Sequence, residues 1–175
     1  MNTYVAWVTA HPLFSAAVQF AILGTIGEII SHTLRHGRFT LPGRGWQIAG
    51  KIAAWAILGL FVKYGFAGIR GFTQALFDHH LLPAFVENGI GRAVALSVCL
   101  NMFTGPQVMF LHRLEDNLIM GRRDFAGMAG ALHTLYWFWV PAHTITFLLP
   151  VPYQIGLAAA WSLVLGVIMG LTRAR

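Results

Sequence analysis

Charged residues are scarce in this sequence. Only 10% of its 175 residues are Asp, Glu, Lys or Arg, whereas a soluble globular domain carries about 25%. Between Gly127 and Leu171 there is no charged residue at all. A membrane-crossing helix needs about 20 apolar residues, so this stretch is long enough for two such helices, joined at the Pro-Val-Pro turn. The composition excludes a soluble globular domain and predicts an integral membrane protein in contact with a lipid bilayer.

Several functional signatures are also missing. Cys99 is the only cysteine, which excludes an intrachain disulfide. There is no phosphate-binding glycine loop, no His-Glu-x-x-His motif and no Ser/His/Asp set in a loop, so we predict neither an enzyme nor a bound cofactor. The N-terminal segment resembles neither a cleaved signal peptide nor a transit peptide. The net charge of +6 comes from arginines at the ends of apolar runs rather than from a patch with interleaved aromatics, so we do not expect nucleic acid as a partner.

Five apolar runs are each close to the length of a membrane span. They are residues 13–34, 47–69, 91–111, 125–149 and 153–171. Backbone hydrogen bonding in lipid requires such runs to be helical, so we predict an all-α, polytopic transmembrane helix bundle in which residues 1–175 form one domain. The connector at 72–87 is apolar enough to lie in the membrane interface, and four spans plus an interfacial helix is the alternative.

The arginines predict the orientation of the chain. Eight lie in the first connector, the third connector or the C-terminal tail, and two lie on the other side of the predicted membrane. In chain order the eight are Arg35, Arg38, Arg44, Arg113, Arg122, Arg123, Arg173 and Arg175, and the two are Arg70 and Arg92. Positive loops stay on the cytoplasmic or matrix side, so we expect the C-terminus there and the N-terminus opposite. This requires an odd number of spans and suits a bacterial inner membrane or a mitochondrial inner membrane.

A carboxylate lies inside the first predicted span. Glu28 shares one helical face with small and polar residues, because these recur at spacings of three and four; they are Gly24, Gly27, Ser31, His32 and Arg35. A charge near the bilayer centre costs about 3 kcal/mol or more, so Glu28 needs a partner or water. Lys51 lies at nearly the same depth in the second span of an antiparallel hairpin. Either the two form an ion pair that holds the hairpin together, or both line a hydrated cavity.

The histidines are further candidates for a polar cavity. His32 lies one turn from Glu28 and is a candidate proton-coupled switch, or else a hydrogen-bond donor between helices. His133 and His143 lie about ten residues apart in the fourth span, so we expect them on different faces. A metal site built from His11 and the Asp78-His79-His80 triplet would need several elements to converge, and we predict none.

Pro141 lies inside the fourth predicted span. Its nitrogen cannot donate a hydrogen bond, and its ring clashes with the carbonyl of Trp137 in an uninterrupted α-helix. We therefore predict a kink at this position. The aromatic residues around it are typical of helix packing and of membrane interfaces.

Both ends of the chain resemble the Mpv-type/peroxisomal membrane protein family of small multi-pass membrane proteins. The family's N-terminal signature, His-Pro followed by a Gly-Asp-x-x-x-Gln type motif, is similar to His11-Pro12 and Gly27-Glu28, with Glu28 for the usual Asp and His32 for the usual Gln. Its Trp-Pro, Val-Pro and Trp signature is similar to a set in the C-terminal half that comprises Trp139, Pro141, Val151, Pro152 and Trp161. Val140 separates the tryptophan and proline that are adjacent in the family, and members usually have four spans.

The resemblance implies small-solute permeability or channel activity. We therefore expect a channel or small-solute permeability protein with a polar cavity near Glu28, His32 and Lys51. The alternative is a non-transporting structural or assembly subunit of a membrane complex, in which the polar face of the first span only packs against a neighbour. In either case the chain is a candidate for homo-oligomers or larger membrane assemblies.

Overall fold

A computed structural model of the chain describes residues 2–173, and the regular secondary structure in this range is helical. Arg175, which contributes to the arginine asymmetry, lies outside the described residues. In chain order the α-helices are α1 (Thr3–Ala10), α2 (Pro12–His36), α3 (Gly45–Asp78), α4 (Gly89–Phe103), α5 (Gly105–Met120), α6 (Met128–Thr134), α7 (Val140–Leu148) and α8 (Val151–Arg173). A short 3₁₀ turn at Ala84–Val86 precedes α4, and a π-helical segment at Leu135–Trp139 joins α6 to α7.

Three of these helices, α2, α3 and α8, are long and apolar enough to cross a membrane. Together α4 and α5 meet the same criterion as one span bent by 45°. The prediction of an all-α protein with several membrane-length helices is therefore confirmed. Three to four candidate spans are present among the described residues. The fourth predicted run is not counted among them, because it is divided into α6, the π-helical segment and α7.

Helix α2 begins and ends where its sequence predicts. Pro12 is its first residue, a position where the missing N–H would have no partner inside the helix. Gly37 ends it with φ of 65°, a left-handed conformation that glycine adopts without steric cost. Its observed bounds differ from the predicted run by two residues or fewer at each end.

Helix α3 is longer than predicted. It continues beyond residue 69 to Asp78 and so reaches 34 residues, or about 51 Å at 1.5 Å per residue. Residues 72–78 of the predicted connector are therefore helical and extend α3, while the position of residues 72–87 relative to the membrane interface stays a prediction. The helix ends at Asp78, and the left-handed conformation of His80, with φ of 55°, follows before Pro83 is reached.

The third predicted run, 91–111, is not one straight helix. Thr104 separates α4 from α5, and Pro106 follows in the first turn of α5. Because proline cannot donate to the preceding turn, the helix bends there. Helix α5 then runs on to Met120, nine residues beyond the predicted end, so a segment that we expected to be a connector is helical.

Regular α-helical hydrogen bonding is interrupted just before Pro141, whereas the kink predicted at Pro141 itself stays a prediction. The five residues Leu135–Trp139, just before the proline turn, form a π-helical segment instead of a regular α-helix. A wider turn of this kind accommodates a residue that cannot make its i→i−4 hydrogen bond. Hydrogen bonding is therefore not continuously α-helical from residue 128 to residue 148.

Helix α2 lies at the centre of the packing, against α3 on one side and α8 on the other. Gly27 and Gly166 allow α2 and α8 to approach closely, since a Cβ built on Gly166 would lie 2.7 Å from the Gly27 carbonyl oxygen. Gly24 similarly accepts the Trp55 ring of α3. Much of the small-residue face of the first span is thus used for packing within the chain, as small residues are in membrane helix bundles.

Candidate functional site

A cluster of four charged side chains joins α2, α3 and the end of α5. The Lys51 ammonium group contacts Glu28 Oε1 and lies 2.5 Å from Asp116 Oδ1, and Arg122 lies 2.5 Å from the other Asp116 oxygen. Lys51 is 7% exposed, Glu28 20% and Asp116 17%. The Trp55 indole N–H donates to Glu28 Oε2 over 3.2 Å. The predicted ion pair between Glu28 and Lys51 is therefore present, with a second carboxylate that the sequence analysis did not assign to it.

The local structure after α5 brings Arg122 to this cluster. Gly121 ends the helix in the left-handed conformation, with φ of 64°, and the Arg122 backbone N–H donates to the Asn117 carbonyl. The Asn117 side chain also holds the Asp124 backbone. Its amide nitrogen donates to the Asp124 carbonyl at 3.0 Å, and its amide oxygen accepts from the Asp124 N–H at 3.2 Å. This turn redirects the chain so that Arg122 faces back toward Asp116.

A cavity of about 260 Å³ lies beside the charge cluster. Its walls come from α2, α3, α4, α5, the π-helical segment, α7 and α8, and Glu28 belongs to both the cavity wall and the cluster. Most of the wall is aliphatic or aromatic, for example Phe20, Leu58 and Val62. The cavity is thus an apolar space in which a few polar groups are concentrated.

One wall of the cavity carries a polar group of three side chains, which we call the amide wall: Asn101, Trp139 and His143. The Asn101 amide nitrogen donates to the Ser97 carbonyl at 2.8 Å and lies 3.2 Å from His143 Nδ1. His143 stacks on Trp139 with ring centroids 5.1 Å apart. Within the described residues, the Asn101 carbonyl oxygen and the Trp139 indole nitrogen are buried and have no hydrogen-bond partner.

The predicted cavity residues do not all meet. Glu28 and His143 line the cavity, whereas His32, Lys51 and His133 do not. His32 pairs with the Thr40 hydroxyl at 2.9 Å and stacks on His36, because the chain folds back over the end of α2. His133 is exposed while His143 is buried, so the two occupy different environments, as their spacing predicts.

The residues that carry the family resemblance have mostly structural positions. His11 and Pro12 start α2, and Pro152 lies in the first turn of α8. Trp161 donates its indole N–H to the Thr146 hydroxyl over 3.2 Å and thereby joins α8 to α7. Pro141 lies in the first turn of α7.

Gly27, Glu28 and Trp139 are the three motif residues that line the cavity. Gly27 also lies in the closest contact between α2 and α8. The other motif residues do not line the cavity, so the motif does not mark it as a whole.

Sequence reasoning missed Asp116 and Asn101. Asp116 was counted as part of a connector, although it lies four residues before the end of α5 and at a depth where Lys51 can reach it. The one signal for Asp116 is that Arg122 follows six residues later and can neutralise its carboxylate. This signal does not indicate Lys51 as a second partner. Asn101 is an isolated amide in an apolar run, and nothing in the sequence indicates what lies opposite it.

No group of three His, Cys, Asp or Glu side chains in residues 2–173 is arranged to hold a metal ion. His11 and the Asp78-His79-His80 triplet therefore do not converge in the part of the chain that the structure describes. The polar chemistry of the bundle is hydrogen bonding and ion pairing.

Comparison with known proteins identifies no relative: no family of proteins, no curated protein and no solved structure matches this chain. Membership of the Mpv-type family consequently stays a prediction from the motifs. What the helices establish is an all-α chain with three to four helices able to cross a membrane.

Proposed function

We propose that this chain is a small membrane protein that binds a small solute within its helix bundle and makes the membrane permeable to it. The observation that carries the proposal is the cavity of about 260 Å³ with Glu28 in its wall. A largely apolar cavity with a few convergent polar groups is the usual form of a small-molecule site. Membership of the Mpv-type family, which we also propose, would agree with this function.

The composition of the cavity wall favours a neutral solute over an ion. An isolated ion in an apolar space loses its hydration without compensation. Two charged side chains line the cavity, Glu28 and Arg35. Glu28 is already engaged by Lys51, and Arg35 is held by the Ser31 carbonyl and hydroxyl oxygens of its own helix. The charge cluster holds α2, α3 and α5 together at one end of the cavity and so bounds the space available to a solute.

Solute flux into liposomes tests this proposal. Val62 lines the cavity, and Val62→Phe would fill part of it; Val98 lies on the exposed face of α4, and Val98→Phe is the matched control. With glycerol as the solute, we expect the purified chain and Val98→Phe to accelerate uptake equally and Val62→Phe to slow it by at least about fivefold. Uptake no faster than in empty liposomes would refute the proposal, as would equal uptake by both variants.

We propose five spans, with residues 128–148 as the fourth and the N-terminus outside. These residues are helical without a gap, through α6, the π-helical segment and α7, and 21 residues are enough to cross the apolar core of a bilayer. Single-cysteine variants in a Cys99→Ala background test this. Cysteines at residues 3 and 149 should react with an impermeant reagent from the outside, and one at residue 121 should not. Equal labelling at 121 and 149 would instead favour four spans.

A second candidate function is that of a structural subunit in a larger assembly or a homo-oligomer. It is favoured by the use of Gly24, Gly27 and Gly166 for close helix packing, which explains the small-residue face without a pore. On this reading the chain alone would give no flux, and Val62→Phe would affect only its stability. The liposome experiment therefore separates the two functions.

A further inference from the structure

We infer that the amide wall is a recognition site for a hydroxyl group carried by a small, otherwise apolar molecule. This inference rests on the proposed function, because it takes the cavity to be the place where solute binds. It goes further by stating the chemical class of that solute. The inference is carried by the two buried polar atoms of the amide wall that have no partner.

The orientation of the Asn101 amide is determined by its neighbours. Its nitrogen lies 2.8 Å from the Ser97 carbonyl oxygen, which can only accept a hydrogen bond. A flipped amide would place two acceptors against each other. The Asn101 carbonyl oxygen is therefore the free atom, and Asn101 is only 4% exposed, so this acceptor is aimed into the bundle rather than toward water.

The opposite hydrogen-bonding function is available on the same wall. Trp139 can only donate through its indole N–H, and this nitrogen is buried without a partner. His143 lies between the two residues, with Asn101 against its Nδ1 and Trp139 stacked on its ring. Because Asn101 donates to Nδ1, the neutral ring carries its proton on Nε2. The wall thus presents one acceptor beside N–H donors.

A hydroxyl group suits this wall, since it can donate a hydrogen bond to the Asn101 oxygen and can also accept one from an N–H donor. A ketone, an ether or a hydrocarbon would leave the Asn101 oxygen unpaired, and a buried polar atom without a partner is costly. Water carries the same chemistry and finds enough polar partners at the amide wall, but it would leave the aliphatic and aromatic remainder of the cavity wall without contacts. An apolar body with one hydroxyl matches both parts of the cavity.

The size of the cavity sets an upper limit on that body. A cavity of about 150 Å³ admits benzene, so one of about 260 Å³ is suited to a molecule of one or two rings. The pair 2-naphthol and 2-methylnaphthalene is a suitable probe, because the two differ only by hydroxyl and methyl groups of similar size.

The test compares binding of the two probes to the full chain in detergent by equilibrium dialysis. Empty micelles serve as the blank, which removes the contribution of partition into detergent. We expect 2-naphthol to bind at least about tenfold more tightly, a difference that one well-made buried hydrogen bond can supply. In Asn101→Leu, and separately in Trp139→Phe, we expect this preference to fall to threefold or less.

Thr73→Val is the matched control. Thr73 is fully buried and its hydroxyl also has no partner, but it does not line the cavity. This variant should keep the whole preference for 2-naphthol. Two cavity variants are used so that the test stands if one of them does not fold.

The outcomes separate this inference from the proposed function. Equal binding of both probes, with glycerol flux intact, would overturn hydroxyl recognition and leave the permeability function standing. Tight, Asn101-dependent binding of 2-naphthol without flux would support the recognition site and refute permeability. Loss of preference in Thr73→Val to the same degree as in Asn101→Leu would also overturn the inference, because the effect would then not be specific to the cavity.

Discussion

Lys51 holds two carboxylates, and this makes its removal more damaging than the removal of either acid. In Lys51→Met, the side-chain partners that remain among the described residues are the Trp55 indole N–H for Glu28 and Arg122 for Asp116. Methionine replaces the lysine stem with an apolar chain of similar length, so the packing changes little. The perturbation is therefore mainly electrostatic.

The exposure of each side chain sets the expected cost. Lys51 is 7% exposed, and removing one partner of a buried ion pair costs about 3–5 kcal/mol. Glu28→Gln removes a charge but leaves Lys51 paired with Asp116 at 2.5 Å, and the glutamine oxygen can still accept. We expect it to cost about 1.5 kcal/mol, the loss associated with one charge-assisted hydrogen bond.

The sequence alone predicts a larger loss of stability for Glu28→Gln. With Lys51 paired only to Glu28, Glu28→Gln would strand a buried ammonium group and cost several kcal/mol. The presence of Asp116 reverses that expectation. In the double variant Lys51→Met with Glu28→Gln, both charges of the inner pair are gone while Asp116 keeps Arg122, so stability should return to within about 2 kcal/mol of the unaltered chain.

Unfolding by sodium dodecyl sulfate in mixed micelles, followed by far-ultraviolet circular dichroism, measures these free energies. Thr73→Val is the control for a buried substitution that breaks no hydrogen bond or ion pair, since the Thr73 hydroxyl has no partner among the described residues. The reasoning is refuted if Glu28→Gln destabilises the protein as much as Lys51→Met does. A double variant no more stable than Lys51→Met would equally contradict it.

Two further changes test the packing and the turn after α5. Gly166→Ala should destabilise the protein by about 1–3 kcal/mol in the same unfolding assay, because the added carbon meets the Gly27 carbonyl oxygen at 2.7 Å; Gly68→Ala, where the added carbon has no neighbour within 4 Å, should be neutral or stabilising. Asn117→Ala should cost about 1–3 kcal/mol, since it leaves the Asp124 backbone without both side-chain hydrogen bonds, and limited proteolysis should show faster cleavage next to residue 124. Equal stability of the two glycine variants, or unchanged cleavage in Asn117→Ala, would contradict these contacts.

The parts of the fold that follow from local chemistry could be predicted from the sequence. Apolar runs and their ends gave the main helices, and proline chemistry indicated an interruption near Pro141. The ion pair between Glu28 and Lys51 followed from the equal depth of two residues in one hairpin. Each of these depends on residues close in sequence or on the length of a helix.

The rest depends on contacts between distant elements. Asp116 looked like a connector residue because a charged segment after an apolar run resembles a loop, and only the packing of α5 against α3 shows that it faces Lys51. His32 looked like a cavity residue because it lies one turn from Glu28, but the loop that carries Thr40 folds back and takes its hydrogen bond. The amide wall combines residues from α4, the π-helical segment and α7, and no spacing in the sequence relates them.

The charge cluster also has a consequence for how the chain is made. Its four charges divide into two neutral pairs: Glu28 with Lys51, and Asp116 with Arg122. Each pair lies within one segment of the growing chain, the first across the hairpin of α2 and α3 and the second at the end of α5. A nascent hairpin can therefore leave the insertion machinery with its own charges matched, without waiting for later helices. On this order of insertion, the contact between Lys51 and Asp116 would form when the two separately inserted units meet.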